Sequence, residues 1–379
     1  MGKNSEKKVL FLASWYPSKN DTTLGNFVQK HAELANEVAC VDVLYAVDSD
    51  EVEEITVVDE LVNNLRTVIV YYPPIKSNVP FISTVLKKET YLLALRTGYK
   101  YLETTYDVVH LNAVFPAGMF ARWIKSNVGT PFIVTVHWTG FLPHHNVYES
   151  LPFYIKRVYQ QIFSSAKQVL PVSDHLGKSL QNLGLIKAYS VINNVVKSDC
   201  FYPKKEDRNS DLPNRFLHIS TFDDKHKNVS GMLSAFGQLK SDYILHLVTE
   251  GEEDDVWSLI HKYDIPKAKC IVESKLQVEE IGEAMRLADC LVLFSNYETF
   301  SVVLAEAWSS GIPAIYSQCG GLTEIKEERL GTQIQAKDVA SLLNALQKFS
   351  KTEYSSVSIA GFAEEFSENF IRNQLKTLY

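Results

Sequence analysis

Apolar and polar positions follow two recurring patterns along the 379-residue chain. Short runs of β-branched and aromatic residues predict strands, and the segments between them repeat apolar residues at helical spacing. In the first half, the predicted strands are residues 9–14, 38–46, 67–72, 108–112, 132–136, 168–172 and 189–192. Helices are predicted there at residues 27–35, 117–125 and 154–164. Alternating strands and helices predict a parallel sheet.

The alternation stops at a charged, proline-containing stretch and then restarts. The second set of predicted strands is residues 216–220, 244–248, 270–272, 290–294 and 314–316. The second set of predicted helices is residues 229–239, 254–261, 278–287, 301–309 and 339–348, with an amphipathic pattern over 359–378. We therefore expect an α/β protein with two Rossmann-like, doubly wound domains, each binding ligands at the carboxyl ends of its strands. The expected bounds are 3–196 for the first domain, 197–214 for a linker, 215–355 for the second domain and 356–379 for a C-terminal helix.

Charge is unevenly distributed along the chain. Residues 61–198 carry 14 basic and 5 acidic side chains, a net of +9, whereas residues 199–379 carry 19 basic and 28 acidic ones, a net of −9. Lys87, Lys88, Arg96 and Lys100 are close together in a predicted helical stretch. The basic middle region predicts an anionic acceptor or contact with an anionic membrane surface, and the alternative is an ordinary solvated surface.

Cysteines and apolar runs bear on location. The five cysteines are far apart and form no CxxC pair, so the sequence predicts neither a zinc site nor a disulfide framework. A reducing cytoplasm fits this cysteine usage. The apolar run at residues 9–13 is too short for a signal peptide, and no run approaches the roughly 20 residues that span a bilayer. The expected location is cytoplasmic, with peripheral contact at the inner face of the membrane.

The most informative segment is FSNYETFSVVLAEAWSSGIPAIYSQCGGLTEI, residues 294–325. Glu298 stands between a predicted strand and helix, and Glu306 follows eight positions later inside an apolar run. Thr299, Phe300 and Ser301 would expose backbone N–H groups in the first helical turn, which suits phosphate binding. A buried Glu306 needs hydrogen-bond partners such as sugar hydroxyls. The alternative is that Glu298 only favours the helix N-terminus and Glu306 extends to water.

A lysine precedes another predicted helix. Lys227 stands before Asn228, which would cap the helix that starts at Val229. A lysine at a helix N-terminus is unfavourable unless an anion is present, so Lys227 is a candidate ligand for a diphosphate. The alternative is a solvated loop lysine.

The 294–325 segment resembles the E-x₇-E motif of retaining GT-B glycosyltransferases, particularly glycosyltransferase family 4. The resemblance implies two domains facing across a cleft, with Glu298 on the donor sugar and Glu306 on the nucleotide ribose. Lys227-Asn228 matches the family's late Lys-Asn pair, but Ser220-Thr221 stands where a Gly-Arg pair is usual, so a second cation is missing.

Three positions in the first half extend the resemblance. His137, in TVHWTGF, is similar to the family's T-x-H position near the donor sugar, and a purely structural histidine is the alternative. Gly25 corresponds to the glycine loop after the first strand, where a missing Cβ would let a ligand approach. Asn194 is the residue of VINNVV that best matches the family's P-N-G-V landmark.

The function implied is transfer of a hexose-type sugar, with retention, from a UDP- or GDP-sugar to a saccharide or lipid-linked acceptor in cell-surface polysaccharide synthesis. Lys227, Glu298 and His137 are the expected catalytic residues. No D-x-D cluster stands where a metal would be needed, and neither a cofactor nor nucleic acid is expected. A nucleotide-sugar epimerase and a non-catalytic carbohydrate-binding protein are the alternatives, whereas the missing G-x-G-x-x-G argues against a NAD-dependent oxidoreductase.

Overall fold

The computed structural model describes residues 7–75, 80–102, 104–143, 145, 147–203 and 212–379, and only the backbone of residues 80–82. The chain divides into two compact units. Unit 1 consists of two chain segments, one that extends to Asn194 and a second, Ile371–Tyr379. Unit 2 is the segment between them, Val195–Phe370. Of the predicted linker, residues 204–211 lie outside the described residues. Its earlier part is packed, since Cys200 and Phe201 are buried.

Unit 1 contains a seven-stranded sheet. Its strands are β1 (Lys8–Ala13), β2 (Cys40–Asp48), β3 (Thr56–Val62), β4 (Leu65–Tyr72), β5 (Val108–Asn112), β6 (Phe132–Val136) and β7 (Gln168–Pro171). Its helices are α1 (Asn26–Ala35), α2 (Pro80–Leu102), α3 (Gly118–Asn127), α4 (Val147–Ser150), α5 (Phe153–Ser165) and α6 (Asp174–Asn182). The strand order is β3-β4-β2-β1-β5-β6-β7, and only β3 runs antiparallel to its neighbour.

Unit 2 contains a six-stranded sheet in which all neighbouring strands are parallel. Its strands are β8 (Asn214–Ser220), β9 (Tyr243–Thr249), β10 (Cys270–Ser274), β11 (Cys290–Leu293), β12 (Ala314–Gln318) and β13 (Gly331–Gln335). Its helices begin with α7 (Asp224–Lys227), α8 (Val229–Gln238), α9 (Glu253–Lys262) and α10 (Val278–Leu287). They continue with α11 (Val302–Ser309), α12 (Val339–Lys348) and α13 (Ser356–Ala363). The strand order is β10-β9-β8-β11-β12-β13.

The central strands are buried on both faces of the sheet, as their apolar runs predict. All five residues of β5 and of β6 are buried. In unit 2, apolar residues of α8, α9 and α12 pack on one face of the sheet around Phe216, Leu245 and Val292. The predicted fold class, two doubly wound α/β domains, is confirmed.

Two predictions about the elements of the chain are wrong. Residues 189–192 do not form a strand, although Ser190 and Ile192 donate backbone N–H bonds to the carbonyls of Val169 and Pro171 at 3.2 Å. Pro171 has no N–H to complete a ladder there. The single C-terminal helix over 356–379 is instead α13 and a second helix, α14 (Glu368–Leu378), separated by the extended Ser367. Only the end of this segment belongs to unit 1.

Candidate functional site

The order of the strands in unit 2 defines where a ligand would bind. After β8 the chain continues through α7 and α8 to β9, whereas after β11 it continues through α11 to β12 on the other side. Because β8 and β11 are neighbours, the loops that follow them separate at a topological switch point, the usual ligand crevice of an open α/β sheet. Lys227 follows β8 and Glu298 follows β11.

A charged pair joins these two loops. The Lys227 ammonium lies 2.7 Å from Oε1 of Glu298, although the residues are 71 positions apart in sequence. Ser295 Oγ donates to the same oxygen at 2.8 Å. The Glu298 side chain is 9% exposed and that of Lys227 is 23% exposed, so the pair is largely shielded from solvent. Lys227 therefore has an anionic partner within the protein, and it is not a solvated loop lysine.

The loop after β8 holds Lys227 in a single helical turn. The Asp223 side chain accepts from the backbone N–H of Lys225 at 3.1 Å and so caps α7. Lys227 ends this turn, and Asn228 follows in the left-handed conformation with φ 49°. Asn228 occupies the N-cap position of α8, as predicted, but its side chain makes no capping hydrogen bond. Asparagine tolerates this backbone conformation better than most residues do.

The loops after β8, β11 and β12 are hydrogen-bonded to one another. The Asn296 backbone N–H donates to the His226 carbonyl at 2.7 Å, and the Asn296 side chain donates to the Lys225 carbonyl at 3.0 Å. Gly321 N–H donates to the Glu298 carbonyl at 3.0 Å. Lys227 and Glu298 are therefore positioned by backbone contacts as well as by their own side chains.

The start of α11 differs from the prediction. The helix begins at Val302, so Thr299 and Phe300 precede its first turn, and Ser301 is the N-cap residue. Phe300 packs its ring against Phe366 at a centroid distance of 5.1 Å. Ser301 has φ 71°, which is strained for a residue other than glycine, and such strain often occurs at ligand sites.

Glu306 is buried in α11, with only 6% of its surface exposed. The helix is apolar around it, and Leu304, Ala305, Ala307 and Trp308 are also buried. Trp308 fixes the helix by donating from Nε1 to the Leu330 carbonyl at 3.1 Å. The alternative in which Glu306 extends to water is therefore excluded.

Among the described residues beside Ser220, His218 does not supply the cation of the usual Gly-Arg pair. His218 hydrogen-bonds to Ser220 Oγ at 2.8 Å and to the Val292 carbonyl at 2.8 Å. Burial lowers the pKa of His218 to about 4, so this imidazole is neutral at pH 7. His226 pairs with Asp223, and this hydrogen bond is the main reason that the Asp223 pKa is lowered. Lys225 is exposed on the same turn.

Three predicted site residues belong to unit 1. His137 follows β6 and is 6% exposed, and within the described part of the chain neither ring nitrogen has a hydrogen-bond partner. Burial lowers its pKa well below the ordinary value, with smaller effects from His31 and His110. Asn194 is also buried, and its side-chain oxygen has no partner among the described residues.

A packing reason requires glycine at position 25, and the predicted ligand approach stays a prediction. The φ of Gly25 is 77°, and a Cβ there would lie 2.6 Å from the carbonyl carbon and oxygen of Trp15. The space beside Gly25 is therefore filled by the protein's own backbone.

The sequence predicted Lys227, Glu298 and Glu306, and it did not point to Ser295 or Asn296. These two residues precede Glu298 on the loop after β11, and a polar pair directly after a buried strand was the available signal. Within the described residues, no group of three or more His, Cys, Asp or Glu side chains could hold a metal ion. None of the helices in the described ranges combines the length and apolar character needed to cross a membrane.

Two doubly wound α/β units, with a Lys–Glu pair at the switch point of the second, have the features of a GT-B glycosyltransferase. Residues 203–374 match the family model described as glycosyl transferases group 1, and residues 26–199 match glycosyltransferase family 4. The chain belongs to the group 1 glycosyltransferases with a family 4 N-terminal half, and it is a glycosyltransferase enzyme.

Individual relatives are distant in sequence. N-acetyl-alpha-D-glucosaminyl L-malate synthase of Bacillus anthracis is 23% identical over 288 residues, covering 72% of this chain and 74% of that protein. Sucrose-phosphate synthase from Thermosynechococcus elongatus is similar in structure, with a TM-score of 0.76, 19% identity and 98% of both chains covered. The Anabaena protein HepE, in complex with UDP and glucose, gives a TM-score of 0.71 at 16% identity, covering 98% of this chain and 99% of that one. The structural likenesses show the shared fold.

Proposed function

We propose that this protein transfers a hexose-type sugar from a UDP- or GDP-sugar to a saccharide or lipid-linked acceptor, with retention at the anomeric carbon, in cell-surface polysaccharide synthesis. The Lys227–Glu298 pair at the switch point carries the proposal, since it combines a cation for a diphosphate with a carboxylate for sugar hydroxyls. The complex of HepE with UDP and glucose supports a nucleotide-sugar donor for this fold.

Each donor contact has a proposed residue. Lys227 would exchange part of its contact with Glu298 for the donor diphosphate, which then gains a preorganised positive charge. Glu298 would accept hydrogen bonds from donor-sugar hydroxyls, and Glu306 would accept them from the ribose. The backbone N–H groups at the N-terminus of α11, from Ser301 onward, would add to the phosphate site. His137, which follows β6 in unit 1, is proposed to contact a sugar hydroxyl.

The proposed reaction occurs on one face of the donor sugar. The bond from the anomeric carbon to the diphosphate oxygen breaks, and its electron pair leaves with the diphosphate. The acceptor hydroxyl oxygen forms the new bond on the same face, and its proton passes to the departing diphosphate. Lys227 stabilises the negative charge that develops, so the protein supplies electrostatic catalysis without a divalent metal.

A thermal-shift panel with UDP-, GDP- and ADP-sugars tests the donor. A ligand at 100 times its dissociation constant stabilises the folded protein by about 2.7 kcal/mol. We expect a rise in the unfolding midpoint with UDP- or GDP-sugars, and product NMR should show the anomeric configuration of the donor. Absence of any shift and of any nucleotide release would refute the proposal, and an inverted product would refute retention.

We also propose peripheral contact of unit 1 with an anionic membrane through α2. Lys87, Lys88 and Lys100 are exposed, and each lysine near such a surface contributes about 1 kcal/mol. Arg96, the fourth basic residue of this stretch, is not proposed to contact the membrane. Its guanidinium lies over the Trp123 ring at 5.2 Å. The neighbouring Tyr91, Leu92 and Leu95 are buried in the core.

Liposome flotation at low and high salt tests this contact. The double variant Lys87→Glu, Lys88→Glu should lose salt-sensitive binding to anionic liposomes, while Lys240→Glu, Lys348→Glu, at exposed positions in unit 2, should retain it. If the wild type does not bind anionic liposomes at low salt, the proposed membrane contact of α2 is wrong. A soluble acceptor would then be favoured.

A further inference from the structure

A cavity of about 380 Å³ lies at the amino edge of the unit 2 sheet, opposite the edge that carries the Lys227–Glu298 pair. Asn214, which begins β8, and Asp289, which directly precedes β11, both line it. We call it the amino-edge cavity. Its volume lies within the range of roughly 300–1,000 Å³ that is usual for small-molecule sites. All its lining residues belong to unit 2.

The far wall of the amino-edge cavity is formed by residues 349–356 and is held in place by specific contacts. The Tyr354 hydroxyl lies 3.3 Å from Thr332 Oγ1, within hydrogen-bond distance. Gly311 has φ 72°, and a Cβ there would lie 2.0 Å from Ser356 Oγ, so Ser356 packs directly against the chain that follows α11. A wall that is fixed before binding loses little conformational freedom when a ligand enters.

Two aromatic residues supply the apolar part of this wall. The Phe349 and Tyr354 rings are nearly parallel, with centroids 5.9 Å apart and an angle of 19° between their planes. Phe349 is buried, whereas Tyr354 is only half-buried and keeps part of its surface exposed. An aromatic ring offers apolar contact to the C–H face of a sugar ring at little conformational cost.

Uncharged polar side chains supply most of the remaining wall, among them Asn214, Ser350, Thr352 and Ser356. A hydroxyl group can both donate and accept a hydrogen bond, and an amide carries two donor hydrogens and an acceptor oxygen. This mixture matches a ligand that itself presents several hydroxyl groups.

The charged lining residues favour a neutral ligand over an anion. Among the described residues of the lining, Arg286 and Asp289 carry opposite charges. The Arg286 guanidinium already donates to the Cys200 carbonyl at 2.8 Å and lies over the Tyr202 ring at 4.5 Å. A phosphate group would therefore meet a cation with other partners and a carboxylate of its own sign, and like charges side by side are costly.

We propose that the amino-edge cavity is a second, non-catalytic site of this protein that binds a neutral mono- or disaccharide. The sugar ring lies against Tyr354, and its hydroxyls bond to the surrounding serine, threonine and asparagine side chains. This site is separate from the proposed donor site, because Asp289 precedes β11 and Glu298 follows it. It does not depend on the donor or on the stereochemistry of the proposed transfer.

NMR of the full-length protein, labelled with methyl-¹³C methionine, reports on this site directly. Met285 lines the cavity, whereas Met232 lies in the core of unit 2 and serves as an internal reference. The probes are glucose, N-acetylglucosamine, maltose and cellobiose. We expect at least one of them to move the Met285 signal, assigned with Met285→Leu, in a concentration-dependent way while the Met232 signal stays in place. Inorganic phosphate should leave both signals unchanged.

Variants of the wall measure the contribution of each contact. Tyr354→Leu should weaken saccharide binding about 2- to 10-fold, the range expected for an aromatic contact, and Tyr354→Phe should retain most of it. Thr352 is exposed, so Thr352→Val tests one hydrogen bond without changing the core, and a similar loss is expected. Tyr263→Leu is the matched control, because Tyr263 packs against the same core as Tyr354 but does not line the cavity.

Three results would overturn the inference: a Met285 signal that no saccharide moves, a Met285 signal that phosphate moves, or unchanged saccharide affinity in both Tyr354→Leu and Thr352→Val. The thermal shift caused by a nucleotide sugar should be the same in these variants as in the wild type. Its loss would assign the cavity to the donor and overturn the inference as well. Absence of a donor shift in the wild type would count against the proposed function alone, because Met285 reports on the opposite edge of the sheet.

Discussion

Replacing Lys227 by alanine tests the charged pair at the switch point most directly. The change removes the ammonium that lies 2.7 Å from Glu298, and Ser295 Oγ remains the other group that donates to this carboxylate oxygen. For donor turnover, loss of a preorganised charge at the leaving diphosphate costs about 10²- to 10³-fold in kcat. We expect a loss in this range, with a smaller change in the KM for the donor.

Lys225 provides a matched control. It lies on the same helical turn and is exposed, and its described hydrogen bonds use its backbone N–H and carbonyl, which alanine keeps. Lys225→Ala should therefore retain most of the wild-type turnover. If Lys225→Ala is the more damaged enzyme, the assignment of the diphosphate ligand to Lys227 is wrong.

The stability of Lys227→Ala distinguishes catalysis from folding. A hydrogen bond to a charged group contributes about 1.5–3 kcal/mol, and the 23% exposure of Lys227 places the expected loss at the lower end of this range. Urea unfolding measures it. The double variant Lys227→Ala, Glu298→Ala should be non-additive, because residues in direct contact couple by about 0.5–3 kcal/mol. Additive losses would show that the two side chains act independently.

Three further outcomes are expected. Glu306→Ala should weaken nucleotide-sugar binding by about 1.5–3 kcal/mol, since a buried charged hydrogen-bond partner is lost, and calorimetry showing wild-type affinity in a folded variant would contradict the ribose role. Transfer should continue in EDTA, and activity that disappears and returns only with Mn²⁺ or Mg²⁺ would refute metal independence. Burial lowers the pKa of His31 and His218 to about 4, below the value near 6.5 of the unfolded chain, so the unfolded state binds more protons between these values. The free energy of unfolding should therefore fall as the pH is lowered from 6.5 towards 4, by up to about 1.4 kcal/mol per pH unit for each histidine, and urea unfolding that is equally difficult at pH 7 and pH 5 would contradict this.

Sequence patterns predicted the buried strands well, but they missed one edge strand of each sheet. The central strands β5 and β6 are continuous apolar runs with both faces covered. By contrast, β3 (TVVDELV) and β13 (GTQIQ) carry polar residues at sheet edges, and neither was predicted. These two edge strands are specified by their neighbours more than by their own apolar content, so their signal lies outside the local sequence.

In the candidate site, local sequence likewise predicted the individual residues but not the contacts between them. The sequence alone predicted Glu298, Glu306 and Lys227 as site residues. Each lies in or near the start of a predicted helix, where a charged side chain indicates a ligand. Their pairing could not be predicted, since the contact between Lys227 and Glu298 depends on β8 lying beside β11. Gly25 shows what local sequence leaves out: the glycine after a strand suggested a ligand, and the structure adds a packing reason for it in the neighbouring backbone at Trp15.

The division of unit 1 into two chain segments has a consequence during synthesis on the ribosome. Ile371 and Leu375 are fully buried, and the Tyr379 hydroxyl lies 2.6 Å from Nδ1 of the buried His110. These residues emerge only after all of Val195–Phe370 has been translated. At a translation rate of about 5–20 residues per second, synthesis of unit 2 takes on the order of 10–35 s. During this time the part of the unit 1 core that Ile371 and Leu375 cover stays exposed. Unit 2 is continuous in the chain, whereas unit 1 is completed only when this last segment has been made.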